Sequence, residues 1–176
     1  MKPKAKTNME RMGFVDHDLT TPRHDEIMKW LDNFIDTRIG DVLGISRHWT
    51  LTDLPSIIPP KPPVRVIQKI WEYPLEMNRG FIEGFADLLV FYEYPFIRDE
   101  KICFSRCKCI FEVKTEIPSL GDLFRQLSVY RRHMRESEHI IVVSPDSRFS
   151  TEIRAQKYLF LKYTSNNGLF EMGEVL

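Results

Sequence analysis

The sequence predicts an α/β chain built on a mixed sheet with a helix packed on each side. Hydrophobic spacing is helical over about 22–38 and again from 119 to about 135, while the segments between follow the two-residue period of strands. Short turns join those three consecutive strands, which describes an antiparallel meander. Strands such as Phe85–Phe91 are apolar at both odd and even positions, so both faces of the sheet need cover. The length of 176 residues suits one domain over 21–176, preceded by an arm.

Residues 1–20 lack hydrophobic periodicity and carry Lys2, Lys4, Lys6 and Arg11, the pattern of a flexible basic arm. Thr21 and Pro22 supply a cap hydroxyl and a first-turn proline. Ile27, Trp30, Leu31, Phe34 and Ile35 follow at helical spacing, and Gly40 is the expected stop. Residues 55–63 hold five of the eleven prolines and read as an extended connector. The three strands are expected at Val64–Glu76, Phe81–Tyr94 and Ile102–Thr115, with turns at Met77–Gly80 and from Pro95 to Glu100. Ser119 then caps a second helix with Asp122 three residues on, and Leu120, Leu123, Leu127 and Met134 form its apolar stripe. A short apolar strand at His139–Val143, a helix near 149–156 and a strand over Tyr158–Lys162 complete the order.

Composition narrows the function. The 25 basic and 25 acidic side chains cancel, which argues against a non-specific coat on nucleic acid, because such binding rests on counterion release. The 43% apolar share argues against wholesale disorder. No apolar run approaches the roughly 20 residues of a membrane span. The basic start lacks the apolar stretch of a secretory signal, and the cysteine count is odd, so a reducing cytoplasm is the expected location. Cys103, Cys107 and Cys109 match no zinc spacing, and the last two should pack on the face opposite Glu112.

The informative residues are charges inside apolar strands. Asp87 sits in Gly84-Phe-Ala-Asp-Leu-Leu-Val90, where an ionised carboxylate is costly unless paired or metal-bound. Glu112 and Lys114, in Phe111-Glu-Val-Lys, are two apart and project from one face of the next strand. Taken alone, Glu-x-Lys reads as a surface ion pair and Asp87 as a turn acceptor. Jointly, two carboxylates on neighbouring strands and a backbone carbonyl make a hard oxygen set suited to Mg²⁺ or Mn²⁺. Such a metal polarises a phosphoryl oxygen and acidifies a bound water, while a lysine beside it can orient that water.

These residues resemble the PD-(D/E)xK nuclease superfamily, with its restriction-endonuclease-like fold, in which an Asp ends one strand and (Asp/Glu)-x-Lys follows in the next. Ala86 stands where the pattern has proline. Gln126-Leu-Ser-Val-Tyr130 is similar to the Gln-x-x-x-Tyr of the RecB-type and lambda-exonuclease-type branch. The resemblance covers about 22–145 and implies a Mg²⁺-dependent nuclease acting on DNA, with a 5′-phosphate and a 3′-hydroxyl as products. It implies Asp87, Glu112 and the Val113 carbonyl as metal ligands, Lys114 as the water-orienting base, and Gln126 and Tyr130 as support. It also implies an acid or histidine from the first helix, for which Glu26 is preferred over His24. Glu72, Glu76 and Glu83 are rivals on the neighbouring strands.

Arg125, Arg131 and Arg132 make the second helix locally basic, either as a phosphate-tracking surface or as an ordinary solvated face. A homodimer, or a place in a larger DNA-processing complex, is expected because one site cuts one strand. The alternative is a non-catalytic nucleic-acid-binding or assembly module on the same fold.

Overall fold

The computed structural model describes residues 21–45, 61–77 and 80–164, so the expected arm and most of the proline segment lie outside the described residues. The elements run α1 (Pro22–Val42), β1 (Arg65–Glu76), β2 (Ile82–Arg98), β3 (Lys101–Val113), α2 (Leu120–Arg132), β4 (His139–Ser144), α3 (Ser150–Ala155) and β5 (Leu159–Lys162). The five strands form one mixed sheet in sequence order. β1, β2 and β3 pair antiparallel, and β3, β4 and β5 pair parallel through the α2 and α3 crossovers. This is the α/β layout expected from the alternation of periods.

Each face of the sheet carries its own core. On one face Ile27, Leu31, Ile35 and Ile39 of α1 pack on Leu88, Val90, Phe111 and Val143. On the other, Leu123, Leu127 and Tyr130 of α2 pack on Leu89, Ile110, Ile140 and Val142. Each such aliphatic side chain contributes on the order of 1.5–3 kcal/mol when fully buried, so both helices are fixed by tertiary packing. Cys109 lies in the α1-side core with Cys107 against it, opposite Glu112 as expected. Burial holds the Cys109 thiol protonated.

Local signals set most boundaries. Thr21 Oγ1 accepts the His24 amide and Pro22 opens α1. Ser119 Oγ accepts the Asp122 amide at the start of α2. Two expectations fail. Gly40 does not end α1: the helix runs to Val42 and closes on Gly44 at φ 65°, with Ile45 N–H donating to Gly40 C=O (2.9 Å) and Gly44 N–H to Asp41 C=O (3.1 Å). That is the double-bonded C-terminal motif that uses a left-handed glycine one residue past the cap. Gly40 instead serves close approach, because a Cβ there would stand 3.1 Å from Val64 Cγ2. Pro95 likewise does not turn the chain; β2 continues to Arg98, and Asp99 and Glu100, both at positive φ, make the turn. The last residue of β2 paired to β1 is Glu93, so Pro95 lies where β2 has become an edge, a place that tolerates proline.

Candidate active site

The site forms where β2 and β3 part. Their register runs from Arg98↔Lys101 to Leu88↔Phe111 and stops there, although Asp87 and Glu112 would be the next pair. Asp87 turns its carboxylate along the gap, and Val113 N–H donates to Asp87 Oδ2 at 2.7 Å. A backbone donor that would otherwise be left without a strand partner is thereby satisfied. β3 keeps its pairing to β4, since Lys114 N–H donates to Val143 C=O at 2.9 Å.

Glu112 is almost wholly buried, on the α2 side of the sheet. Its Oε1 accepts from Gln126 Nε2 (2.7 Å) and stands 3.0 Å from Lys114 Nζ. The Tyr130 hydroxyl lies 2.6 Å from Oε2 and 2.8 Å from the Phe85 carbonyl, and accepts from Gln126 Nε2 at 2.7 Å. A single hydroxyl proton cannot serve two acceptors, and the carboxylate is the stronger of them. The four-residue spacing of Gln126 and Tyr130 on α2 brings both side chains onto one carboxylate. Burial, then repulsion from Asp87, pushes the Glu112 pKa up to about 7 against the pull of Lys114 and the Tyr130 hydroxyl. Burial and the Glu112 charge also raise Tyr130 well above its ordinary value, so it stays a neutral donor.

Of the two first-helix candidates, His24 lies beside Asp87 and Glu26 does not. His24 is buried, with Nε2 3.7 Å from Asp87 Oδ1, beyond hydrogen-bond length, and this ring nitrogen has no hydrogen-bond partner among the described residues. Burial disfavours the imidazolium, but Asp87 and Glu112 outweigh it and raise the His24 pKa. Glu26 points elsewhere: its carboxylate accepts from the Tyr163 hydroxyl at 2.7 Å. The signal lay in the helix phase, since His24 precedes Ile27, Leu31 and Ile35 at the three- and four-residue spacing of the buried stripe.

Beside Asp87, on the α1 side, a cavity of about 320 Å³ is lined by His24, Met28, Trp71 and Glu72, among others. The flanking pairs Trp71↔Leu88 and Tyr73↔Ala86 set Glu72 across from Asp87, with φ 47° at Glu72. Glu76 is exposed, and Glu83 is bonded by Arg132 and His133, each at 3.0 Å. Of the basic residues on α2, Arg125 pairs with Asp122. Arg131 donates to the Glu138 carbonyl (2.9 Å) and lies 5.7 Å over the Tyr158 ring, which makes it a brace for the chain after α2. Arg132 keeps an exposed guanidinium at the helix end.

Among the described residues no three His, Cys, Asp or Glu side chains form a ready-made metal cage. The donor chemistry nevertheless fits a divalent cation. Asp87 Oδ1 and the orphaned His24 Nε2 face one another, and the two buried carboxylates repel each other, an excess of negative charge that a cation would relieve. Asp87, Glu112 and His24 are the side chains that would hold it, and Glu112 would have to loosen Lys114 or Gln126 from Oε1 to take part.

No helix among the described residues is long and apolar enough to cross a membrane. No family model, curated protein or solved structure matches the chain.

Proposed function

We propose that the chain is a metal-dependent nuclease of the PD-(D/E)xK kind, on a restriction-endonuclease-like core, and that it hydrolyses phosphodiester bonds in DNA. The observation that carries this reading is the pair of buried carboxylates at the parted ends of β2 and β3, with an ammonium group held on one of them. Buried charges cost several kcal/mol apiece unless they are compensated. A helix and a backbone amide are spent on fixing these two in place.

Asp87, Glu112, the Val113 carbonyl and His24 would hold Mg²⁺ or Mn²⁺, which when bound polarises a phosphoryl oxygen and acidifies water. The protein's own groups do the rest. Val113 N–H fixes one Asp87 oxygen and leaves the other directed toward His24. Tyr130 and Gln126 hold the Glu112 carboxylate in a single orientation. Lys114 carries a half-buried ammonium that positions the attacking water or the scissile phosphate. Attack in line by water would leave a 5′-phosphate and a 3′-hydroxyl. One such centre cuts one strand, so a double-strand break requires a second copy or a partner. Three free thiols suit a reducing compartment.

One observation favours the alternative of a non-catalytic binding module: both Glu112 oxygens are already occupied by Lys114, Gln126 and Tyr130. The deciding experiment incubates the full chain with closed-circular and linear DNA, and with RNA, in Mg²⁺, in Mn²⁺ and in EDTA. Cutting that EDTA abolishes supports the nuclease. Intact substrates under every condition favour the binding module.

A further inference from the structure

α2 ends at Arg132, but the sheet face beneath it continues along the β2–β3 ribbon to the turn at Asp99 and Glu100. Phe104, Arg106, Lys108, Ile110 and Glu112 alternate along β3 on that face. The last two lie under α2, and the first three lie beyond it. Across the strands Phe91 is opposite Lys108 and Pro95 opposite Phe104. Phe104 is 47% exposed at the open end of this face. A groove of about 680 Å³ runs here between β3 and the end of α2. Its lining carries four permanent cations, Arg106, Lys108, Arg132 and Arg135, of which Arg106 and Arg132 are paired with Glu93 and Glu83, and one carboxylate of its own, Glu138. That carboxylate is turned in to accept the Arg135 amide at 2.7 Å.

A second groove, of about 240 Å³, shares Lys108, His133 and Met134 with the first and extends to Tyr73, Leu75 and the carboxylate of Glu76 on β1. Tyr73 pairs with Ala86, the residue before Asp87. The two grooves therefore make one trough, from the exposed ribbon to within a residue of the candidate site. Lys108 stands about 13 Å from Glu112 along the strand, and Phe104 about 26 Å.

We infer that this trough is a platform for single-stranded nucleic acid, which engages the strand flanking the cut. The inference rests on the nuclease reading for its purpose, but on its own residues for its chemistry. A ring and four cations at alternating and neighbouring positions match what a single strand offers, namely bases that stack on any aromatic face and a phosphate at each step. Glu93 holds Arg106 at 2.8 Å, and Glu83 holds Arg132 and His133 at 3.0 Å each, so these two guanidinium groups are fixed in position and a phosphate would compete with a carboxylate for each of them. Lys108 donates to the His133 carbonyl at 2.9 Å and so ties the ribbon to the end of α2. A peptide of acidic residues alone would use the cations but has no group to cover Phe104, whereas every base of a nucleic acid has a face that can.

The test is fluorescence anisotropy of a labelled oligodeoxythymidine and of a duplex of equal length, with the full chain in EDTA so that nothing is cut. The wild-type protein should bind the single strand more tightly than the duplex. Phe104→Ala should weaken single-strand binding at least about fivefold, and Arg106→Ala should flatten the salt dependence by about 0.7 in the log–log slope. Both side chains are exposed, so the variants should fold, which circular dichroism checks. Arg154→Ala on α3 removes the same charge outside the trough and should bind within about twofold of wild type. Phe104→Ala and Arg106→Ala binding like the wild type would overturn the platform, as would polyglutamate displacing the strand as readily as unlabelled oligonucleotide. Because EDTA is present, the two readings separate. Binding lost in these variants with no cleavage in Mg²⁺ keeps the platform and removes the nuclease, while cleavage with unchanged binding does the reverse.

Discussion

The two ends of the β2–β3 pair put charge to opposite uses. At the turn end the strands stay paired up to Arg98↔Lys101, and the charges of Arg98, Asp99, Glu100 and Lys101 stand in solvent. Such exposed pairs are worth little, typically under 1 kcal/mol. At the other end pairing stops at Leu88↔Phe111, and Asp87 and Glu112 are buried within the protein. There each carboxylate is held by designated donors, the Val113 amide for Asp87 and Gln126, Tyr130 and Lys114 for Glu112. The same two strands thus spend no stability on charge at one end and a good deal at the other. Buried carboxylates with shifted pKa values cluster at functional sites, which is why the costly end is the candidate site.

If that contrast is functional, the largest effect should come from the buried end. Asp87→Asn removes a charge without changing shape and should lower metal-dependent cleavage by about 10³-fold or more, read as turnover of a plasmid substrate. Tyr130→Phe removes only the hydroxyl that holds Glu112 Oε2, and a loss of about 10–100-fold is expected from a group one step removed from the metal. A Tyr130→Phe variant with full activity would reduce that contact to packing.

Stability should show the contrast as well. The Glu112 pKa of about 7 in the folded protein exceeds that of an unfolded glutamate, so between about pH 4.5 and 7 the folded state binds more protons. In the metal-free protein this group's contribution to stability is therefore fullest at low pH and is lost as pH rises through about 7. Glu112→Gln should remove that slope and stabilise the metal-free protein at pH 8 by about 1–3 kcal/mol, while at pH 5 the gain shrinks toward zero. Thermal melts in EDTA at both pH values measure it, and a variant with the same pH slope as wild type would contradict the burial argument. The smallest effect belongs to the turn end. Glu100 sits at φ 59°, so Glu100→Gly should stabilise by about 0.5–1 kcal/mol through relief of left-handed strain, seen as a modest rise in Tm with cleavage unchanged.

Much of this architecture was legible in the residues because it depends on periodicity. Ile27, Leu31 and Ile35 marked α1, and the two-sided apolar runs of β2 and β3 required helices on both faces. Asp87 and Glu112 stood out because they interrupt those runs. What periodicity does not encode is where a neighbouring strand ends. Pro95 signalled a turn only on the assumption that β2 was flanked there, and Gly40 a stop only in ignorance of Val64 packing on it. His24 shares the phase of the α1 stripe, yet its position beside Asp87 depends on how α1 lies over the sheet, which local sequence does not carry. The engagement of Arg131 was not legible for a similar reason, because the Glu138 carbonyl and the Tyr158 ring that it meets come from later in the chain.

The central claim is that Asp87, Glu112 and Lys114 form a hydrolytic centre. It is tested most directly by comparing the wild-type chain and Lys114→Ala on closed-circular DNA in Mg²⁺, with circular dichroism to confirm that both are folded. Nicking or linearisation by the wild type, stopped by EDTA and reduced at least about 10²-fold in the variant, is the expected result. Equal cutting by the two proteins would contradict the account.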